Sequence, residues 1–80
     1  MPRYLLHHRH LPHECGPVFA SFTGHESPLR HTATTASCPF GGHEIWWNVT
    51  APSQQAALGL LPSYVAARTT VVPVAPVEIP

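Results

Sequence analysis

Proline is the residue that most constrains the fold of this chain. Ten of its 80 residues are proline, a residue tolerated in the first turn of a helix, in turns and at sheet edges, but disfavoured inside helices and central strands. We therefore expect Pro17 and Pro52 in the first turns of two helices. Pro62 should kink or split the second helix, and Pro73 and Pro76 place the last strand at a sheet edge. The chain must be built from short elements.

Residue patterns between the prolines predict four strands and two helices. The clearest strand is HEIWWNVT, in which Ile45 and Trp47 point to one face and Trp46 to the other. A PFGG turn precedes it, and its glycines suit a hairpin. In chain order the elements are a strand over 3–10, a helix that begins between 15 and 17 and ends at 24, strands over 32–38 and 43–50, a helix over 51–68 and a strand over 69–80.

The order of these elements is β-α-β-β-α-β, which predicts a single α+β domain over residues 1–80 with the ferredoxin-like arrangement. Its sheet would be antiparallel, in the order 4-1-3-2, with both helices on one face. Within the first helix, Val18, Phe19 and Phe22 are expected to share the buried side. Trp46 or Trp47 must point to the opposite, uncovered face, and an uncovered Trp indicates a homodimer formed through that face.

Composition excludes several classes of partner. Charged residues make up 10% of the chain, the formal net charge is zero with His neutral, and Lys and Asp are absent. Such a chain has no electrostatic footprint for nucleic acid or for anionic lipid. It also lacks an apolar run of roughly 20 residues that could span a membrane and a signal-peptide pattern. We expect a cytoplasmic protein, whose two cysteines are free or metal-bound rather than bridged.

Three stretches, MPRYLL, TAPSQQAALGLL and VAPVEIP, open the first strand, open the second helix and close the last strand. In this layout, and in length, the chain resembles the small dimeric ferredoxin-like (α+β-barrel) bacterial domains, some of which bind nickel or other metals. The resemblance implies a homodimer and the ferredoxin-like fold. It does not fix an activity, because this family includes binders, isomerases and monooxygenases.

Histidine and cysteine residues converge in this topology. Seven residues are His and two are Cys, and the stretch HHRHLPHEC holds five of them. The end of the first strand, the start of the first helix and the hairpin between the second and third strands meet at one end of the sheet. The side chains expected to supply metal ligands there are those of Cys15, Cys38 and His43, with His8 or His10 as the fourth.

Thiolate and imidazole ligands suit Zn²⁺ best, and they also suit Ni and Cu. At the same end, His13, Glu14 and Glu44 are candidates for residues that surround the ligands, and the two carboxylates could orient ligand imidazoles. Arg30 and His31 belong to a loop elsewhere, where they form either a plain loop or a small anion site.

Three functions remain open. The favoured one is a non-catalytic metal-binding protein for storage, delivery or sensing of Zn, Ni or Cu. The alternative is a small dimeric α+β-barrel enzyme with a His general base, with or without a metal. The third is a module that only dimerises. Other interpretations of the same residues also remain: a solvated strand end for the His run, and small apolar fillers or a disulfide for Cys15 and Cys38.

Overall fold

The computed structural model describes all 80 residues and contains seven regular elements. Two single 3₁₀ turns, Pro12–Glu14 and Cys38–Phe40, precede the first helix and the third strand. The regular elements are β1 (Arg3–Arg9), α1 (Cys15–Ala20), β2 (Thr35–Ala36), β3 (Glu44–Thr50), α2 (Gln54–Leu58), α3 (Ser63–Ala66) and β4 (Thr69–Val74).

The four strands form one open antiparallel sheet in the order β2-β3-β1-β4. This is the expected order 4-1-3-2 read from the other edge. The expected α+β class and the four-stranded antiparallel sheet are confirmed. β4 pairs only with β1, so Pro73 lies on an edge strand as its missing N–H requires.

The two faces of the sheet differ in what covers them. On one face, alternate residues of β1 and β3 are buried beneath the helices, as the period of two predicts. The opposite face carries half-buried and exposed side chains, including Leu5, His7 and Trp46. The hydrophobic core consists of Tyr4, Leu6, Val18, Ile45, Trp47, Val49, Ala51, Ala57, Leu61 and Val65.

Several elements are shorter than the sequence predicts. The second strand was expected over 32–38 but contains only Thr35 and Ala36, because side chains of this Thr-rich stretch compete for backbone groups. The Thr34 hydroxyl, for example, donates to the Trp46 carbonyl at 2.7 Å. The last strand ends at Val74.

The helices also differ from expectation. α1 ends at Ala20 rather than at 24, and the Ser21 hydroxyl donates to the Val18 carbonyl at 2.6 Å just beyond it. Val18 is fully buried but Phe19 is 57% exposed, because consecutive helical residues lie about 100° apart. The expected helical face containing both was wrong.

The second helical region is split at Pro62 into α2 and α3, as expected. Pro52 lies before α2 rather than within its first turn, and Ser53 is the N-cap, whose hydroxyl accepts the Ala56 N–H at 3.0 Å. None of the three helices has the length and hydropathy needed to cross a bilayer.

Candidate metal centre

Three potential metal ligands lie together at one end of the sheet. The ligand atoms of His10, Cys15 and His43 are all within 4.8 Å of one another. Cys15 Sγ is 3.2 Å from His10 Nε2 and 3.0 Å from His43 Nδ1. A tetrahedral zinc site with ordinary Zn–S and Zn–N bonds has ligand-to-ligand distances of roughly 3.5 Å. The two distances to Cys15 Sγ are slightly shorter than this value, and the two imidazole nitrogens lie within 4.8 Å of each other.

Each ligand comes from a different part of the fold. His10 directly follows β1, Cys15 opens α1, and His43 directly precedes β3. A backbone hydrogen bond of 3.1 Å from His10 N–H to the His43 carbonyl continues the pairing of β1 and β3 beyond their last ladder residues. The expected convergence of His10, Cys15 and His43 is present, because the adjacent ends of these strands hold two of the ligands.

The turn before His43 is held by Ser37. Its N–H donates to the Glu44 carbonyl at 2.8 Å, and its hydroxyl accepts the Glu44 N–H at 3.1 Å. Gly41 has a φ of 81°, and a Cβ at Gly42 would clash with the Ser37 side chain. The two glycines of the PFGG turn are thus required by its geometry, and that geometry places Cys38 and His43 near the end of β1.

His43 itself has a left-handed backbone, with φ of 53°. A non-glycine residue in this region costs about 1–2 kcal/mol, although His is among the residues enriched there. Non-glycine residues in this conformation are often found at functional sites. In this conformation His43 turns Nδ1 towards the Cys15 thiol.

Cys38 lies just outside the close group. Its Sγ is 3.8 Å from His10 Nε2, and both cysteines are free thiols. Burial raises the pKa of the Cys38 thiol, and the neighbouring Cys15 raises it further. Metal coordination requires the thiolate form of a cysteine and favours it over the thiol. A metal bound to Cys38 would therefore have to counteract the raised pKa of this thiol.

His8 lies behind His10 rather than beside the other ligands. It is fully buried, and its Nε2 is 3.0 Å from His10 Nδ1. Its Nδ1 is 3.3 Å from the Val65 carbonyl and 3.2 Å from the Thr69 hydroxyl. Of the two expected alternatives for the fourth ligand, His10 lies within the group and His8 contacts it.

Burial lowers the pKa of both His8 and His10. The pKa of His8 is lowered mainly by desolvation, partly opposed by its hydrogen bond to Val65. The pKa of His10 is lowered by desolvation and then by the charge of His43. Neutral imidazoles are the form that metals bind, so this environment favours coordination at neutral pH.

The Glu14 carboxylate makes no hydrogen bond to the three candidate ligands. It accepts the Leu11 N–H at 2.8 Å, the Arg68 Nε–H at 2.8 Å and the Tyr64 hydroxyl at 3.2 Å. The Leu11 N–H and then Arg68 and Tyr64 lower the pKa of Glu14 to about 2. Glu14 therefore braces the start of α1, which begins at Cys15, against α3.

Glu44 makes its contacts on the opposite face of the sheet. It bonds to His7 Nε2 at 2.6 Å and to Arg9 Nε at 3.2 Å, and the hydrogen bond from His7 is the main cause of its lowered pKa. Neither Glu14 nor Glu44 hydrogen-bonds to a ligand imidazole, so the expectation that they orient ligands has no support in these contacts.

The remaining predicted residues lie apart from the cluster. His13 is exposed in the 3₁₀ turn that precedes α1. Arg30 and His31 line a separate cleft whose floor includes Phe22 and Trp47. The structure therefore brings His8, His10, Cys15, Cys38 and His43 together, and it leaves His13, Arg30 and His31 outside.

A cleft gives solvent access to the cluster. His10 and His43 form part of its wall, together with Arg9, Glu14 and Glu44. Each carboxylate is paired with a guanidinium, Glu14 with that of Arg68 and Glu44 with that of Arg9, so the cleft wall has no clear excess of either charge. A metal site needs such an entry path.

No protein-family model, no curated protein and no solved structure matches this chain. The chemistry of the cluster is therefore what supports a function.

Proposed function

We propose that this chain binds one transition-metal ion, most favourably Zn²⁺, through His10 Nε2, Cys15 Sγ and His43 Nδ1. Its role would be storage, delivery or sensing of the ion. The observation that supports this is the convergence of three ligand atoms, within 4.8 Å of one another, from three separate elements. One thiolate and two imidazoles form a donor set for Zn²⁺, and Ni or Cu could use the same set.

Cys38 is the proposed fourth ligand. Its Sγ already lies 3.8 Å from His10 Nε2, and the 3₁₀ turn that carries it has no fully buried residue. A small movement of this turn would complete a Cys₂His₂ set. Such a closed site is typical of structural or storage zinc rather than of catalytic zinc.

A catalytic role is the second candidate. If Cys38 does not bind, the ion would have three protein ligands, and two of them, His10 and His43, also line the cleft. Three protein ligands plus water is the arrangement of catalytic zinc, and the metal would then lower the pKa of that water. The cleft beside the cluster is the observation that favours this candidate.

We also propose that the chain has a ferredoxin-like fold, forms a homodimer and is cytoplasmic. The order of strands and helices supports a ferredoxin-like domain. The half-buried Leu5 and Trp46 on the uncovered face support a homodimer through that face. The free cysteines fit a cytoplasmic protein.

Metal titration of the reduced, untagged protein tests the proposed function. We expect one Zn²⁺ or Co²⁺ per chain, with a thiolate-to-Co²⁺ charge-transfer band, and loss of both in Cys15→Ser and His43→Gln. His25→Gln is the matched control, because His25 hydrogen-bonds to the Leu60 carbonyl outside the cluster. Failure of the wild-type protein to bind Zn²⁺, Ni²⁺ or Cu⁺ stoichiometrically would refute metal binding.

The Co²⁺ form also separates the two candidate functions. With Cys38 as the fourth ligand, Cys38→Ser should weaken the charge-transfer band, and added azide should leave the wild-type spectrum unchanged. With an open fourth position, azide should change the wild-type spectrum and Cys38→Ser should not. The second result would favour the catalytic candidate.

A further inference from the structure

We infer that His8 is a positioning residue that holds His10 in the tautomer whose proton is on Nδ1, so that the bare Nε2 faces the metal. This inference rests on the proposed function. His8 is fully buried between β1 and α3, and it would not touch the ion. Its role follows from the hydrogen-bonding capacity of its neighbours.

The proton on His8 must be on Nδ1. The Val65 carbonyl, 3.3 Å from this nitrogen, can only accept a hydrogen bond. The Thr69 hydroxyl, 3.2 Å from the same nitrogen, already donates its hydrogen to that carbonyl at 2.7 Å. It too can therefore only accept from His8. Both neighbours require a donor at His8 Nδ1.

The tautomer of His10 follows from that of His8. A buried imidazole without a carboxylate partner is neutral, because burying an unpaired charge is costly. Neutral His8 with its proton on Nδ1 has an acceptor at Nε2. Since this atom is 3.0 Å from His10 Nδ1, His10 must donate there. His10 Nε2 is then unprotonated, and this is the atom 3.2 Å from Cys15 Sγ.

The arrangement is a chain of hydrogen bonds from the end of α3 to the metal ligand. Metal-bound imidazoles usually donate their other N–H to an acceptor that fixes the ring and raises its basicity. Here that acceptor is a second imidazole, itself anchored to Val65 and Thr69. The sequence separation of 57 and 61 residues between His8 and these two anchors means that the ligand depends on a distant part of the chain.

The tautomers can be measured without any metal. Long-range ¹H–¹⁵N spectra of the metal-free, reduced protein at neutral pH distinguish protonated from bare imidazole nitrogens. We expect His8 and His10 both to be protonated on Nδ1 and bare on Nε2. A proton on His10 Nε2 would overturn the inference. Because no metal is present, this result is independent of whether the proposed function is right.

Two variants of His8 test its effect on metal affinity. His8→Gln places an acceptor oxygen near the position of His8 Nε2, whereas His8→Leu removes the acceptor. Loss of such a partner lowers metal affinity by about 10–100-fold, and we expect this for His8→Leu with a mixture of His10 tautomers. His8→Gln should recover affinity and the Nδ1-protonated tautomer.

The controls separate positioning from general damage to the fold. His25→Leu removes another histidine that hydrogen-bonds to the backbone and should leave metal affinity unchanged. Wild-type affinity in His8→Leu would overturn the inference. Equal losses in His8→Gln and His8→Leu, without recovery of the His10 tautomer, would also overturn it. If His8→Leu does not fold, the wild-type spectra and His8→Gln still decide the question.

Discussion

His7 and His8 are adjacent in β1 but have different environments. His7 lies on the uncovered face, where it bonds to Glu44 at 2.6 Å and stacks on Trp46 with ring centroids 5.1 Å apart. His8 lies on the covered face, where it contacts backbone and His10 without a carboxylate. The alternation of the strand therefore determines which histidine hydrogen-bonds to Glu44 on the uncovered face and which contacts the His10–Cys15–His43 cluster.

The same contrast extends across the sheet. The covered face pairs Leu6 with Trp47 across the two central strands, and the uncovered face pairs Leu5 with Asn48. Leu6 is fully buried, whereas Leu5 is only half-buried. The covered face holds the core beside the His10–Cys15–His43 cluster, and the uncovered face is available for other contacts.

The largest difference between the faces should appear in Leu6→Ala and Leu5→Ala. Truncating a fully buried Leu lowers the free energy of unfolding by about 2–5 kcal/mol, and we expect this for Leu6→Ala. Leu5→Ala should cost less than about 1 kcal/mol, because much of that side chain remains in water. Denaturant unfolding of the metal-free, reduced protein measures both.

Equal losses in the free energy of unfolding for Leu6→Ala and Leu5→Ala would contradict the difference between the two faces. That result would mean that the uncovered face is buried by a second copy or another partner under the assay conditions. Repeating the measurement over a range of protein concentrations identifies the second copy, because dimer stability depends on concentration.

The parts of the molecule that follow from strand periodicity could be predicted from sequence. Alternation places Ile45 and Trp47 on one face, and the strand order then brings His10, His43 and Cys15 to one end. These features depend on a period of two and on connection rules, which single residues rarely override.

The parts that depend on side-chain partners could not be predicted. Thr69 and Val65 hold His8, yet nothing in their local sequence marks them as partners of a residue about 60 positions earlier. Glu14 pairs with Arg68 rather than with a ligand for the same reason. Long-range hydrogen bonds require the packed positions of α3 and β4, and local residue patterns do not contain this information.

The carboxylates of Glu14 and Glu44 should contribute by different amounts to the pH dependence of stability in acid. The pKa of Glu14 is lowered to about 2 from an ordinary value of 4.5, so the unfolded chain binds more protons between these values. The contribution of Glu14 to stability is therefore complete above pH 4.5 and is lost as the pH falls towards 2. Glu14→Gln should flatten this part of the stability profile in urea unfolding of the metal-free protein.

Glu44→Gln is the comparison from the uncovered face. The pKa of Glu44 is also lowered, so its contribution is likewise lost as the pH falls below 4.5. Its partners are His7 and an Arg9 side chain that is 75% exposed, whereas the Arg68 partner of Glu14 is 32% exposed. Solvent screening makes exposed pairs weaker, so Glu44→Gln should flatten the profile less than Glu14→Gln. A larger effect of Glu44→Gln would contradict this order.

The smallest expected effect is a difference in fluorescence quenching between Trp46 and Trp47, and it tests the proposed homodimer. Trp47 is 7% exposed and Trp46 is half-buried. The variant Trp47→Phe retains only Trp46, and the variant Trp46→Phe retains only Trp47. Acrylamide should quench the fluorescence of Trp46 more strongly than that of Trp47.

If two copies associate through the uncovered face, quenching of Trp46 must decrease as protein concentration rises, because the partner excludes the quencher from Trp46. Quenching of Trp47 should not change, because this side chain is already buried within one chain. Quenching of Trp46 that stays constant from micromolar to millimolar protein would rule out that dimer over this range. It would not bear on the His10–Cys15–His43 cluster, because these three residues come together within one chain.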